Sequence, residues 1–229
     1  MTPSPTTWRL LVTPDREPPW NMALDEALLL SPASPPTVRF YTWRPPAISL
    51  GWFQDAAEVE PLPPGVGLVR RITGGLAIHH HREFTWSLVG PEELFPGPVE
   101  ASYRRLHAAL ITALEGLGAR GVHLREGEAL RSEGGAGSPW CFERSSPLDL
   151  AAGGRKLAGS AQRRREGRLL HHGSLPLEKN PLTPRNAWVS ELTGRPVDFA
   201  GMGRAFAAAL EEKLGVVLAP GRLEGGEEA

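Results

Sequence analysis

The chain has 229 residues, 41% of them hydrophobic, which is enough to bury a substantial core. Lys and Arg total 25 against 26 Asp and Glu, so the net charge of −1 excludes a polybasic nucleic-acid binder. No apolar run reaches the length of a membrane span, and a single cysteine, Cys141, excludes an internal disulfide. The polar, Pro-rich stretch Met1 to Trp8 has no apolar signal core. No nucleic-acid or membrane partner is expected, and the expected compartment is the cytoplasm.

In chain order, Trp8 to Val12 reads as a strand, and Asn21 as the N-cap of a helix from Met22 to Leu30. Thr37 to Trp43 and Ala47 to Trp52 are strands parted by Pro45-Pro46. Val66 to Ile72 runs as a strand into Thr73-Gly74-Gly75, and Leu76 to His79 continues after the turn. Glu83 to Val89 alternates, with Phe84, Trp86 and Leu88 on one face and Thr85, Ser87 and Val89 on the other. Val99 to Leu117 carries a helical apolar stripe ended by Gly118. Val122 to Leu130 reads as a strand and turn, followed by a Gly-rich loop at 132–138. Leu148 to Ala152 and Lys156 to Gln162 form a hairpin over Gly153-Gly154, and Arg168 to Leu175 is a further strand. Val189 to Leu192 makes a helical turn, and Phe199 to Leu214 a helix closed by Gly215. Helices interspersed with hairpin-linked strands predict an α+β fold, with a mixed, largely antiparallel sheet flanked by helices.

Five segments carry candidate chemistry. Cys141 follows the Gly-rich loop and Pro139-Trp140. It is either a small buried hydrophobe or, at a loop exit, a thiol able to accept an acyl group. Lys156, between glycines and beside Arg155, is one of only three lysines among 25 basic residues. Against the alternative of surface decoration, that choice points to a compact ammonium for a carbonyl oxygen, a phosphate or a nearby thiol. Arg70-Arg71-Ile72-Thr73-Gly74-Gly75 is an ordinary hairpin turn or a place where backbone N–H groups approach a ligand; it is neither a phosphate loop nor a dinucleotide fingerprint. In His79-His80-His81, strand alternation lets at most His79 and His81 share a metal, with no acid or thiol at useful spacing. No metal is expected, and His80 is the inward imidazole. Arg163-Arg164-Arg165, ahead of His171-His172-Gly173-Ser174, is a solvated turn or a dock for an acidic partner.

Taken together and in this order, several segments resemble the lipoate–protein ligase and octanoyltransferase superfamily, whose catalytic domain is similar to that of biotin protein ligases. They are Asn21 to Leu28, Arg39 to Trp43 with Ser49 to Gln54, Arg70 to His80, Glu83 to Ser87, Gly154 to Gln162, and His172 to Leu175. The resemblance spans roughly Trp8 to Leu218. It implies one catalytic domain over 1–229, with flexible ends at roughly 1–7 and 220–229. The Cys141-Phe142 pair ahead of Gly154-Arg155-Lys156 resembles the octanoyltransferase branch. That branch implies octanoyl transfer in lipoate biosynthesis through a thioester on Cys141. The donor would be octanoyl-acyl carrier protein and the acceptor a lysine of glycine cleavage H protein or a lipoyl domain. Lys156 would hold the acyl carbonyl and favour the Cys141 thiolate. Arg70, Arg71, Gly74, Gly75, His80, Gly159, Ser160 and His172 would bind substrate, and no cofactor would be needed. Arg70, Arg71 and Arg163 to Arg165 are expected to receive acidic carriers. An ATP-dependent lipoate–protein ligase, needing ATP and Mg, is the alternative; an amidotransferase between lipoyl-domain proteins is another. The ligase pattern has a third glycine where Leu76 stands, which would restrict the approach of a nucleotide phosphate. The family's frequent Asp after the histidine is His81 here.

Overall fold

The computed structural model describes residues 5–126, 137–144, 146–225 and 227. Its elements run β1 (Thr6–Arg16), α1 (Pro18–Leu30), β2 (Thr37–Trp43), β3 (Ala47–Leu50), β4 (Gly67–Arg70), β5 (Ile78–His80) and β6 (Glu83–Pro91). After these come α2 (Val99–Gly116), β7 (His123–Leu124), β8 (Leu150–Ala152), β9 (Arg155–Arg165) and β10 (Arg168–Pro176). The chain closes with α3 (Val189–Thr193), α4 (Phe199–Leu214) and β11 (Val216–Pro220). Eight strands form one sheet in the order β11-β1-β2-β6-β10-β9-β8-β7, and β4-β3-β5 form a second. In the large sheet β1 runs parallel to β11 and β2, and every other neighbouring pair is antiparallel. The fold is therefore α+β with a mixed, largely antiparallel sheet.

The alternation in β6 fixes what each sheet face meets. Phe84, Trp86 and Leu88 join Leu106, Leu110 and Leu114 of α2 and Met202, Phe206 and Leu210 of α4 in the main core. Each fully buried side chain of this size contributes about 1.5–3 kcal/mol. On the other face Val89 packs with Leu11, Leu170 and the α1 residues Leu24, Leu28 and Leu29. Thr85 and Ser87 share that second face and turn to hydrogen bonding: Thr85 Oγ1 accepts from Trp43 Nε1 at 2.8 Å, and Ser87 Oγ donates to Asp25 at 2.8 Å. Gly173 of β10 is required because a Cβ there would overlap the Trp86 ring.

Several boundaries differ from the sequence reading. Helix α1 begins at Pro18, with prolines at its first positions and Glu17 as N-cap. Proline lacks the N–H that a helix start leaves unused anyway. Asn21 consequently lies inside the helix, and its Nδ2 donates to Thr42 O at 3.0 Å. Strand β11 was not anticipated. It pairs Val216 and Val217 with Thr6 and Thr7, so the start of β1 is ordered where a flexible end was expected. At the other end, Glu227 is buried and chelated by Arg9, with both N···O distances 2.7 Å. Of Val122 to Leu130 only His123–Leu124 forms a strand, and positions 127–130 lie outside the described residues, as do 132–136 of the Gly-rich loop. The Gly153-Gly154 hairpin stands as expected, with φ of 56° and 73° at the two glycines.

Candidate active site

Three loops are stitched together around Cys141. The residue opens a 3-10 helix, Cys141–Glu143, and its N–H donates to Ala77 O at 2.8 Å. Ala77 N–H in turn donates to Pro139 O at 3.0 Å, so the cysteine loop pairs with the segment that follows Gly74-Gly75. Gln54, from the turn after β3, holds the same Pro139 carbonyl at 3.0 Å. A Cβ on Gly51 would overlap the Gly75 carbonyl, so only glycine lets these turns close. Gly75 itself has φ of 97°.

Lys156 reaches this loop from β9. Its Nζ lies 3.5 Å from Cys141 Sγ, 3.1 Å from Cys141 O, 3.2 Å from Arg144 O and 2.8 Å from Asp149 Oδ2. Phe142 stacks below, with the ammonium 5.5 Å from its ring centroid. Burial disfavours the ammonium, but Cys141 and Asp149 outweigh it and hold the Lys156 pKa above the usual lysine value. Gly159 makes the space: a Cβ there would sit 2.9 Å from Lys156 Cε and Nζ.

Cys141 opens onto a cavity that is partly open to solvent and has a mainly apolar lining. An apolar lining with a few convergent polar groups is the usual character of a small-molecule site. Met22, Tyr41, Trp43 and Ile78 supply apolar wall. His80 stacks on Trp43 at 3.9 Å between ring centroids. Both His80 nitrogens are engaged, Nδ1 with Glu83 at 2.6 Å and Nε2 with Ser49 Oγ at 2.7 Å. Burial opposes ionisation of Glu83, but His80, Ser174 and Thr85 together hold its carboxyl below the usual range. His172 contacts Thr73 Oγ1 at 2.7 Å, and burial pushes its pKa down, which favours the neutral ring.

The lipoyl protein ligase A/B catalytic domain matches residues 17–207. The chain belongs to the lipoyl protein ligase A/B family. Within it, octanoyltransferase LipM of Symbiobacterium thermophilum is 39% identical, covering 97% of this chain and 92% of the relative. The LipM octanoyltransferase of Kyrpidia tusciae is 36% identical, over 95% of this chain and 90% of its own. The structure of a bipartite lipoate protein ligase from Thermoplasma acidophilum superposes with a TM-score of 0.73 at 21% identity, covering 97% and 89% of the two chains. Biotin protein ligase from Aquifex aeolicus shares the fold at a TM-score of 0.53 and 13% identity, over 91% and 70%. The chain is an acyltransferase that moves octanoyl groups in lipoate biosynthesis.

Against this family frame, Arg71, Gly74, Gly75, His80, Gly159, Ser160 and His172 all line the cavity with Cys141. Arg71 is also a brace: its guanidinium donates to Ser49 O at 2.9 Å and to Gly74 O and Leu76 O at 2.8 Å. Arg70, expected to bind substrate, is outside the lining. It donates to the carbonyls of Gly51, Trp52 and Gln54 at 2.9, 3.1 and 2.6 Å and shapes the turn instead. Arg163 and Arg165 lie along β9 beside Trp52 and Ile72, outside the cavity lining. Among the described residues no group of three or more His, Cys, Asp or Glu could hold a metal ion. No helix among them is long and apolar enough to cross a membrane.

Four polar residues of the site were passed over in the sequence: Asp149, Asp25, Glu83 and Thr73. Asp149 left a signal, since it is the only charge in the apolar run Leu148 to Ala152. A carboxylate there needs a buried partner, and Lys156 is that partner.

Proposed function

We propose that the chain transfers octanoyl from octanoyl-acyl carrier protein to a lysine of a lipoyl-accepting protein through a thioester on Cys141. The observation that carries this reading is the 3.5 Å contact between Lys156 Nζ and Cys141 Sγ beside the apolar cavity.

In the first half-reaction Cys141 sulfur attacks the donor thioester carbonyl. A new C–S bond forms, the donor C–S bond breaks, and the donor thiol leaves carrying the proton. In the second, the acceptor amine attacks the Cys141 thioester. The C–N bond forms, the C–S bond breaks, and a proton passes from nitrogen to sulfur. Lys156 supports both steps by balancing negative charge at sulfur and at the carbonyl oxygen. Exchanging a thioester for an amide is downhill, so the reaction as written uses no nucleotide, metal or other cofactor. The apolar walls bury the alkyl tail, worth ~0.8 kcal/mol per methylene. The acceptor is glycine cleavage H protein or a lipoyl domain. The bipartite ligase from Thermoplasma acidophilum was solved in a study of that ligase and its E2 lipoyl domain, which supports such an acceptor. We place the enzyme in the cytoplasm, where a reducing milieu keeps Cys141 as a thiol.

The test is intact mass after mixing the protein with octanoyl-acyl carrier protein, without ATP. One added octanoyl group, released by hydroxylamine and absent from Cys141→Ser, is the expected result. Acceptor octanoylation that leaves no adduct and persists in Cys141→Ser would overturn the thioester route, and a strict need for ATP and free lipoate would make the protein a ligase.

A further inference from the structure

Lys156 is almost wholly buried, and burial alone favours its neutral amine. Two neighbours oppose that tendency in the free enzyme: the Cys141 sulfur and the Asp149 carboxylate. They are not equivalent through the catalytic cycle. Once Cys141 carries the acyl group, its sulfur belongs to a neutral thioester and has no ionisable proton. In the acyl-enzyme the sulfur cannot balance the ammonium, and the Asp149 carboxylate at 2.8 Å is the charge in contact with it.

The other groups around the ammonium do not replace it. The carbonyls of Cys141 and Arg144 offer dipoles, not charge. From α2, His107 and Tyr103 face the same region. Burial lowers His107 to about 4, so its ring is neutral at pH 7. Burial pushes Tyr103 up to about 12, so its phenol keeps its proton. Arg71 faces the sulfur and is a cation. Phe142 contributes a ring face. Asp149 remains, and it is held in place: Oδ2 accepts from Ser146 N–H at 2.6 Å.

We propose that Asp149 is a positioning residue for the second half-reaction, keeping Lys156 protonated and aimed at the sulfur while Cys141 carries the acyl group. The inference rests on the thioester route above. As the acceptor amine forms its C–N bond and the C–S bond breaks, Lys156 donates its proton to the departing sulfur. It recovers one from the amine nitrogen, so protons balance and Lys156 ends as it began. Without Asp149 the buried lysine loses its proton in the acyl-enzyme, and the sulfur departs without an acid.

The experiment separates the half-reactions in single turnover, read by quenched intact mass. Octanoyl-acyl carrier protein alone gives the acylation rate, and isolated acyl-enzyme mixed with acceptor gives the transfer rate. For Asp149→Asn, acylation is expected to slow, but by clearly less than transfer does. Transfer is expected to fall on the order of a hundredfold, the scale of general acid catalysis. The alkaline limb of the transfer rate moves to lower pH, because Lys156 deprotonates earlier. Asp149→Glu keeps the charge on a longer stem; it should recover transfer relative to Asn while still slowing transfer more than acylation. A purely structural role predicts equal slowing of both steps and an unmoved limb in either variant, and that result would overturn the inference. If Asp149→Asn does not fold, the ratio of the two rates in Asp149→Glu decides by the same criterion. Failure of the unsubstituted enzyme to form any thioester adduct is a separate result, which removes the acyl-enzyme reading and this inference with it.

Discussion

Arg39 and Asp25 form a buried ion pair, 2.8 Å from Nη1 to Oδ1, that ties α1 to β2 beneath the cavity wall. Asp25 also accepts hydrogen bonds from Ser87 Oγ at 2.8 Å and Tyr41 Oη at 3.0 Å. Its second oxygen lies 3.4 Å from His172 Nδ1. Burial opposes ionisation of Asp25, yet Arg39 and His172 reverse that and hold its carboxyl below the usual range. One carboxylate thus connects the helix, the sheet and a histidine of the site.

Removing that carboxylate strands a buried guanidinium. Asp25→Ala is expected to destabilise the fold by about 3–5 kcal/mol, the usual cost of breaking a buried pair from one side. Urea unfolding of the variant measures it. A loss below about 1 kcal/mol would mean that Arg39 finds another partner or reaches water.

Gly159→Ala addresses the cradle of Lys156 directly. The new methyl would press on Lys156 Cε and Nζ at 2.9 Å and on Asp149 Oδ1 at 3.3 Å. Four contacts hold the ammonium, so it yields only by losing its aim at Cys141. Octanoyl transfer should fall by about tenfold to a hundredfold, as small misplacements of reacting groups do. Activity assays paired with thermal melts check this, and unchanged turnover would show that the cradle has slack.

Acid sensitivity should begin near neutrality. Burial lowers His107 to about 4, and it drives His171 well below the ordinary histidine value of 6.5. Below pH 6.5 the unfolded chain binds protons that these folded rings refuse. Stability is therefore complete above pH 6.5 and declines as pH falls from 6.5 towards 4, where His107 finally titrates in the folded state. Denaturation midpoints across that range should fall with pH. His107→Gln should flatten the slope; an identical slope would remove His107 from the account.

Glu227 should act at lower pH. Burial works against its charge, but Arg9 and Ser34 hold its carboxyl down at about 2, against an ordinary value of 4.5. The contact with Arg9 is thus complete above pH 4.5 and is lost as pH falls from there towards 2. Glu227→Gln should reduce the pH dependence of stability in that window only. Hydrogen exchange at β1 and β11 would show the released edge, and unaltered protection there would argue against a latch.

The sequence by itself determined most of the local structure and the two residues at the centre of the site, Cys141 and Lys156. The alternation of Glu83 to Val89 needs nothing beyond a period of two, and the glycines at 153, 154 and 215 mark turns that only positive φ allows. Cys141 and Lys156 stood out by scarcity and context, and the order of segments carried the family. Tertiary structure decided the rest, because it depends on which chains meet across space. Strand β11 exists because β1 offers it a parallel edge, which five residues of Val216–Pro220 do not announce. Arg70 looks like a ligand-binding cation until three carbonyls of a turn claim it. Asp149 looks like an isolated charge until the β8–β9 hairpin sets it 2.8 Å from Lys156. A buried charge takes its meaning from its partner, and the partner is fixed by packing, not by spacing along the chain.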